Sequence, residues 1–161
     1  MRRLVASFVL IGSFASQSVA LQSPAAGAPR PAARACPLLT REVVTQVTPY
    51  DKAAFDLVMQ VPPQEDSVGS GAACTYGGIT MQVDPFAPAV FEKQRTKEWV
   101  PIADVGDTAY FFDRRGQWAE LYVRAGERVL TIQMAVPTGR TAASVQPNVV
   151  ALARAILAKL K

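Results

Sequence analysis

Cys36 and Cys74 are the only cysteines in this 161-residue chain, and the chain contains no histidine. A nucleophilic or redox-active thiol needs CxxC spacing or a histidine beside it to hold the thiolate, and neither is present. The two thiols are therefore expected to pair with each other. The bridge would close a loop of about 38 residues, worth on the order of 4 kcal/mol in the chain-entropy description. It would tie the start of a first helix to a first strand.

The missing histidine excludes Ser-His-Asp and Cys-His hydrolysis in their usual forms. A zinc site would have to be assembled from two cysteines and carboxylates, which a disulfide precludes. Gly69-Ser70-Gly71 opens no strand-to-helix transition, and no Gly-Lys-Ser/Thr follows it, so no phosphate cradle is expected. Asp104 and Asp107 could bind calcium or act as an acid and base, but their spacing is not that of an EF-hand. The favoured reading is that Asp107 organises the turn into the following strand by accepting backbone hydrogen bonds. No catalytic residue, cofactor or metal is expected.

The aromatic residues are the strongest functional signal. Trp118 and Tyr122 alternate along one segment and share the face opposite its Ala119, Leu121 and Val123. Tyr110 and Phe112 join them if the preceding turn has three residues, and Trp99 lies just before the loop leading there. Exposed aromatics on a rigid sheet are typical of binding surfaces. The competing reading is that another element, such as residues 49–60, covers that face and makes them core.

The elements that must position these residues follow from periodicity. Thr108 to Asp113, Trp118 to Arg124 and Arg128 to Ala135 read as a β-meander. Gly126-Glu127 places glycine first, as a type II′ hairpin requires. That turn sets Val123 opposite Leu130, Leu121 opposite Ile132 and Ala119 opposite Met134, with Tyr122–Thr131 and Glu120–Gln133 on the other face. The turn before it has two solutions. A three-residue Arg114-Arg115-Gly116 loop sends Phe111 to the core, whereas a two-residue Arg115-Gly116 turn buries Tyr110 and Phe112.

Upstream, Leu39, Val43 and Val47 share a helical face with Thr40 as N-cap and Glu42 near the positive helix end. Residues 49–59 suit a second helix or a short strand, and 61–73 read as a loop. Cys74 begins a strand in which Gly77-Gly78 marks a bulge or a close backbone approach. A charged helix is expected around Ala89 to Trp99. Pro147 opens a last helix to about Leu160, with Val149, Leu152, Ala153, Ile156 and Leu160 along one stripe. The expectation is an α+β fold: an antiparallel sheet of about four strands with N-terminal and C-terminal helices packed on one face.

Residues 1–20 combine Arg2 and Arg3, an apolar stretch from Leu4 to Phe14, and small residues at Ser18-Val19-Ala20. This is the pattern of a signal peptide cleaved after Ala20. Residues 21–35, rich in Ala and Pro, read as a flexible tether, and 36–161 as one domain. Cys36 lies too far from the apolar region to take a lipid anchor. Setting aside Arg2, Arg3, Arg30 and Arg34 takes the 17 basic residues to 13, equal to the 13 acidic ones. With no clustered basic face, nucleic acid is not an expected partner. No further apolar run reaches the roughly 20 residues of a membrane span.

The order of features resembles a group of small secreted domains and lipoproteins of bacterial envelopes with a PsbP/Mog1-like fold. Cys36-Pro37-Leu38-Leu39-Thr40, Cys74-Thr75-Tyr76, Val105-Gly106-Asp107-Thr108-Ala109-Tyr110 and the last helix carry the resemblance, which spans most of residues 36–160. It implies an antiparallel sheet with helices packed on it and an envelope location, and carries over no catalytic residues. The expectation for function is a periplasmic or secreted, non-enzymatic binding module for a protein or glycan of the envelope. The alternative is an inhibitor or immunity-type protein acting on a periplasmic enzyme, presenting a loop from 61–73 or 99–107. An enzyme using carboxylates alone is a third class.

Overall fold

The computed structural model describes residues 34–160. The expected signal peptide and residues 21–33 of the expected tether lie outside them. In chain order, a 3-10 turn at Cys36–Leu38 precedes helices α1 (Arg41–Val47) and α2 (Lys52–Val58). Strands β1 (Gln64–Val68), β2 (Gly71–Tyr76) and β3 (Ile79–Val83) follow, then helix α3 (Pro88–Gln94). The chain continues with β4 (Val100–Ile102), β5 (Thr108–Arg114), β6 (Trp118–Ala125) and β7 (Arg128–Ala135), and α4 (Ala142–Lys159) comes last. All seven strands form one antiparallel sheet in the order β1-β2-β3-β7-β6-β5-β4.

The α+β class and the antiparallel sheet agree with expectation, but the sheet has seven strands rather than about four. Gly77-Gly78 is a hairpin turn, not a bulge: φ is +59° and +74° at the two glycines, and Tyr76 pairs directly with Ile79. Both central residues of such a two-residue turn must be left-handed, which glycine accepts without a Cβ penalty. The close approach expected there is also present, since a Cβ on Gly78 would stand 2.5 Å from the Tyr50 hydroxyl. Strand β1 occupies the expected 61–73 loop. Its sequence QEDSV is almost wholly exposed and shows no apolar alternation, so pairing to β2 alone defines it. Strand β4 is short and holds Pro101, which an edge strand tolerates.

One face of the sheet builds the main core. Ile79, Met81 and Val83 of β3 lie beside Leu130, Ile132 and Met134 of β7 and Ala119, Leu121 and Val123 of β6, all fully buried. Helix α4 lies over this face through Val145, Val149, Leu152, Ala153 and Ile156, and α1 packs beside it through Val43, Val44 and Val47. Helix α2 adds Phe55 and Met59 to the same core. Thr40 caps α1 as expected, accepting from Val43 N. Helix α4 starts earlier than expected. Thr141 and Ser144 form a reciprocal cap, and Pro147 lies inside the helix rather than opening it.

Cys36 and Cys74 are bridged, with Cα atoms 4.9 Å apart. The link runs from the 3-10 turn to β2, the second strand rather than the first. Glu65 stands opposite Cys74 in the β1–β2 register, and its carboxylate accepts from the amides of Ala35 and Cys36. Ala35, at the end of the expected tether, is buried.

Candidate functional site

The second face of the sheet divides into a covered part and a cleft. Over the covered part lies α3, where Pro88 occupies the first turn, a position that needs no amide donor. Phe91 of α3 is buried 5.9 Å from the ring of Tyr110 and packs with Val129. Tyr110 pairs directly with Tyr122 across β5 and β6. Beyond α3 the chain returns Trp99 onto Tyr122, with ring centroids 4.1 Å apart and planes at 19°. Arg95 Nη1 donates to the Tyr110 hydroxyl at 3.1 Å, which in turn donates to Glu92. Tyr110 is thus buried, and Tyr110, Tyr122 and Trp99 form part of a small second core rather than an open platform. Residues 86–99 do this covering, whereas 49–60 contribute to the main core. The expected helix at 89–99 ends at Gln94, which frees Trp99 to fold back.

The cleft lies at the β5–β6 end of the same face. Here the register sets Arg114 opposite Trp118 and Phe112 opposite Glu120, with Gln133 on the far side of Glu120. This is the parity of the three-residue turn, with Phe111 in the core; the loop itself is Arg115–Gln117, one residue later than expected. Arg115 and Gly116 both take positive φ, +58° and +68°, and the Asp113 carboxylate accepts from the Gly116 amide at 2.7 Å. The sequence Asp-Arg-Arg-Gly thereby makes a tip that holds two guanidiniums beside the sheet.

Glu120 is 1% exposed and fully engaged. Its Oε1 accepts from Arg114 Nη1 at 3.1 Å and from Gln133 Nε2 at 3.0 Å, and its Oε2 from the Tyr122 hydroxyl at 2.7 Å. A buried carboxylate is tolerable only when satisfied in this way. Burial, the hydrogen bond to Glu120 and the Glu120 charge together hold the Tyr122 hydroxyl protonated far above its ordinary range. Arg114 stays 58% exposed, so the network anchors one edge of a guanidinium whose remainder faces solvent. Phe112 and Trp118, both half-buried, stand with Arg114, Arg115, Glu98 and Asp113 around a cleft of about 850 Å³. The side chains of Trp118, Arg115 and Glu98 have no hydrogen-bonding partner among the described residues.

No family model, curated protein or solved structure matches this chain.

A second cleft, about 520 Å³, contains Asp104, Asp107, Arg128 and Arg154 beside the end of α4. Asp107 accepts from the Gly126 amide at 2.7 Å and donates its own amide to Arg124 O, fastening the loop before β5 to the β6–β7 hairpin. The Asp104 carbonyl accepts from Arg154 Nε. The Asp107 carboxylate is thus occupied with backbone, as a turn organiser would be. Among the described residues, no group of three or more histidine, cysteine or acidic residues is arranged to hold a metal ion. Nor is any described helix long and apolar enough to cross a membrane.

Phe112 and Trp118 were visible in the sequence as alternating aromatics. The Glu120 network and Glu98 were not. A lone glutamate in a strand reads as solvent-facing, and only the pairing with Tyr122, Arg114 and Gln133 reveals its burial.

Proposed function

We propose that this chain is an exported, non-enzymatic binding module of the cell envelope that engages its partner through the Phe112–Trp118 cleft. The observation that carries this reading is the cleft itself: two half-buried aromatic rings beside an arginine braced from beneath by a buried carboxylate. Such an arrangement offers large contact area at low entropic cost together with pre-oriented polar groups. The Cys36–Cys74 bridge supports maturation in an oxidising compartment. The lack of histidine and the engagement of Asp107 with backbone support a non-catalytic role.

The inhibitor reading draws less support. Its candidate loops are partly strands, β1 within 61–73 and β4 within 99–107, and Asp107 fastens the second one down.

The test is affinity capture from an envelope extract, with the native chain and Trp118→Ala as baits and Leu57→Ser, far from the cleft, as control. A partner held by the native chain and the control but lost from Trp118→Ala is expected. Identical partners on all three baits would refute the cleft as the binding site. Mass analysis of the mature protein should show cleavage after Ala20 and no free thiol.

A further inference from the structure

We infer that the Phe112–Trp118 cleft takes a neutral oligosaccharide, an assignment that rests on the binding-module reading above. Three features of the wall argue for this ligand class. First, its charges are mixed: the guanidiniums of Arg114 and Arg115 share the wall with the carboxylates of Glu98 and Asp113, with Glu120 beneath. An anionic ligand such as a phosphate or nucleic acid would meet carboxylates, and a cationic one would meet guanidiniums, so neither sign is favoured. Second, the apolar wall is wholly aromatic. Phe112 and Trp118 are its only hydrophobic side chains, while the exposed aliphatic residues Leu57, Val61 and Val100 lie elsewhere. A protein partner would normally bury a broader apolar patch of about 800 Å² on each side, whereas a flat ring suits the C–H face of a sugar. Third, the polar wall is built of planar groups that can share two hydroxyls at once, and Arg114 is already oriented by Glu120. The volume, about 850 Å³, lies within the range of small-ligand sites.

In this arrangement Trp118 and Phe112 stack on sugar faces, and Arg114, Arg115, Glu98 and Asp113 hold hydroxyls. Glu120 does not touch the ligand; it is a positioning residue that acts through Arg114.

The test titrates the disulfide-bonded protein separately with maltohexaose, cellohexaose and chitohexaose, read by saturation-transfer NMR on the sugar protons and by calorimetry. At least one should bind saturably, and Trp118→Ala should weaken it tenfold or more. Should Trp118→Ala fail to fold by circular dichroism, Arg115→Ala, an exposed tip residue, is expected to weaken binding several-fold in a folded protein. The losses from Arg114→Ala and Glu120→Gln should be non-additive in affinity, since the second acts through the first; additive losses would remove Glu120 from its positioning role. No saturable binding of any of the three sugars would overturn the inference. If Trp118→Ala nevertheless lost a protein partner in the capture experiment, the binding-module reading would stand without it.

Discussion

Leu121 and Tyr122 are adjacent in β6, yet they belong to two differently built halves of the molecule. Leu121 points into a face where nine β3, β6 and β7 side chains are fully buried in one core with α1, α2 and α4. That face is held by removal of apolar area from water, which is non-directional and tolerant of small shifts. Tyr122 points into a face where stability depends on pairs: its ring on Trp99, its hydroxyl on Glu120, and Glu120 in turn on Arg114 and Gln133. Directional contacts contribute less net free energy each, because they replace contacts with water. They do, however, fix side chains in chosen orientations. The contrast separates a half that holds the fold together from a half that holds a cleft in shape.

The largest expected effect lies in the first half. The double change Cys36→Ser/Cys74→Ser should lower stability by about 4 kcal/mol, from the loop it opens, read as a shift of the urea midpoint. Next, Leu121→Ala should cost about 3 kcal/mol through lost burial and the cavity left behind. Glu120→Ala, on the opposite face, should cost less, about 2 kcal/mol, because the Arg114 charge it abandons can turn to solvent. A Glu120→Ala loss matching that of Leu121→Ala would erase the distinction between the faces.

The smallest expected effect is the most specific. Tyr122→Phe should cost about 1.5 kcal/mol at neutral pH, for one hydrogen bond to a charged acceptor. It should also change the alkaline limb of stability. The Tyr122 hydroxyl keeps its proton in the folded protein well beyond the ordinary phenol value of about 10. The unfolded chain therefore loses that proton first, so stability is full below about pH 10 and falls as pH rises further. Burial raises Tyr50 in the same direction. Denaturation midpoints measured across the alkaline range should fall less steeply for Tyr122→Phe than for the native chain; parallel curves would mean that burial and Glu120 together do not raise the Tyr122 hydroxyl.

The two halves also differed in legibility. On the core face, alternation and turn chemistry agree, so the β6–β7 register was readable from Gly126 and six apolar residues, and all the expected pairs occur. Thr40 was readable as a cap because its hydroxyl answers a purely local need. What escaped were elements defined by partners distant in sequence. Strand β1 has no apolar periodicity, and β4 is three residues long. Gly77-Gly78 carried a hairpin signal, but the apolar alternation beyond it suggested one continuing strand. Similarly, α3 looked like a solvated charged helix because a single buried residue, Phe91, fastens it to the sheet. The covered aromatics and the buried Glu120 both depend on such long-range placement.

One small contact anchors the chain just before α1. Glu65 grips the amide of Cys36 while standing directly across from Cys74. The carboxylate fastens the backbone at Cys36 to the strand beside Cys74 by a contact separate from the disulfide. The start of the folded chain is therefore held to the sheet twice, once covalently and once through Glu65.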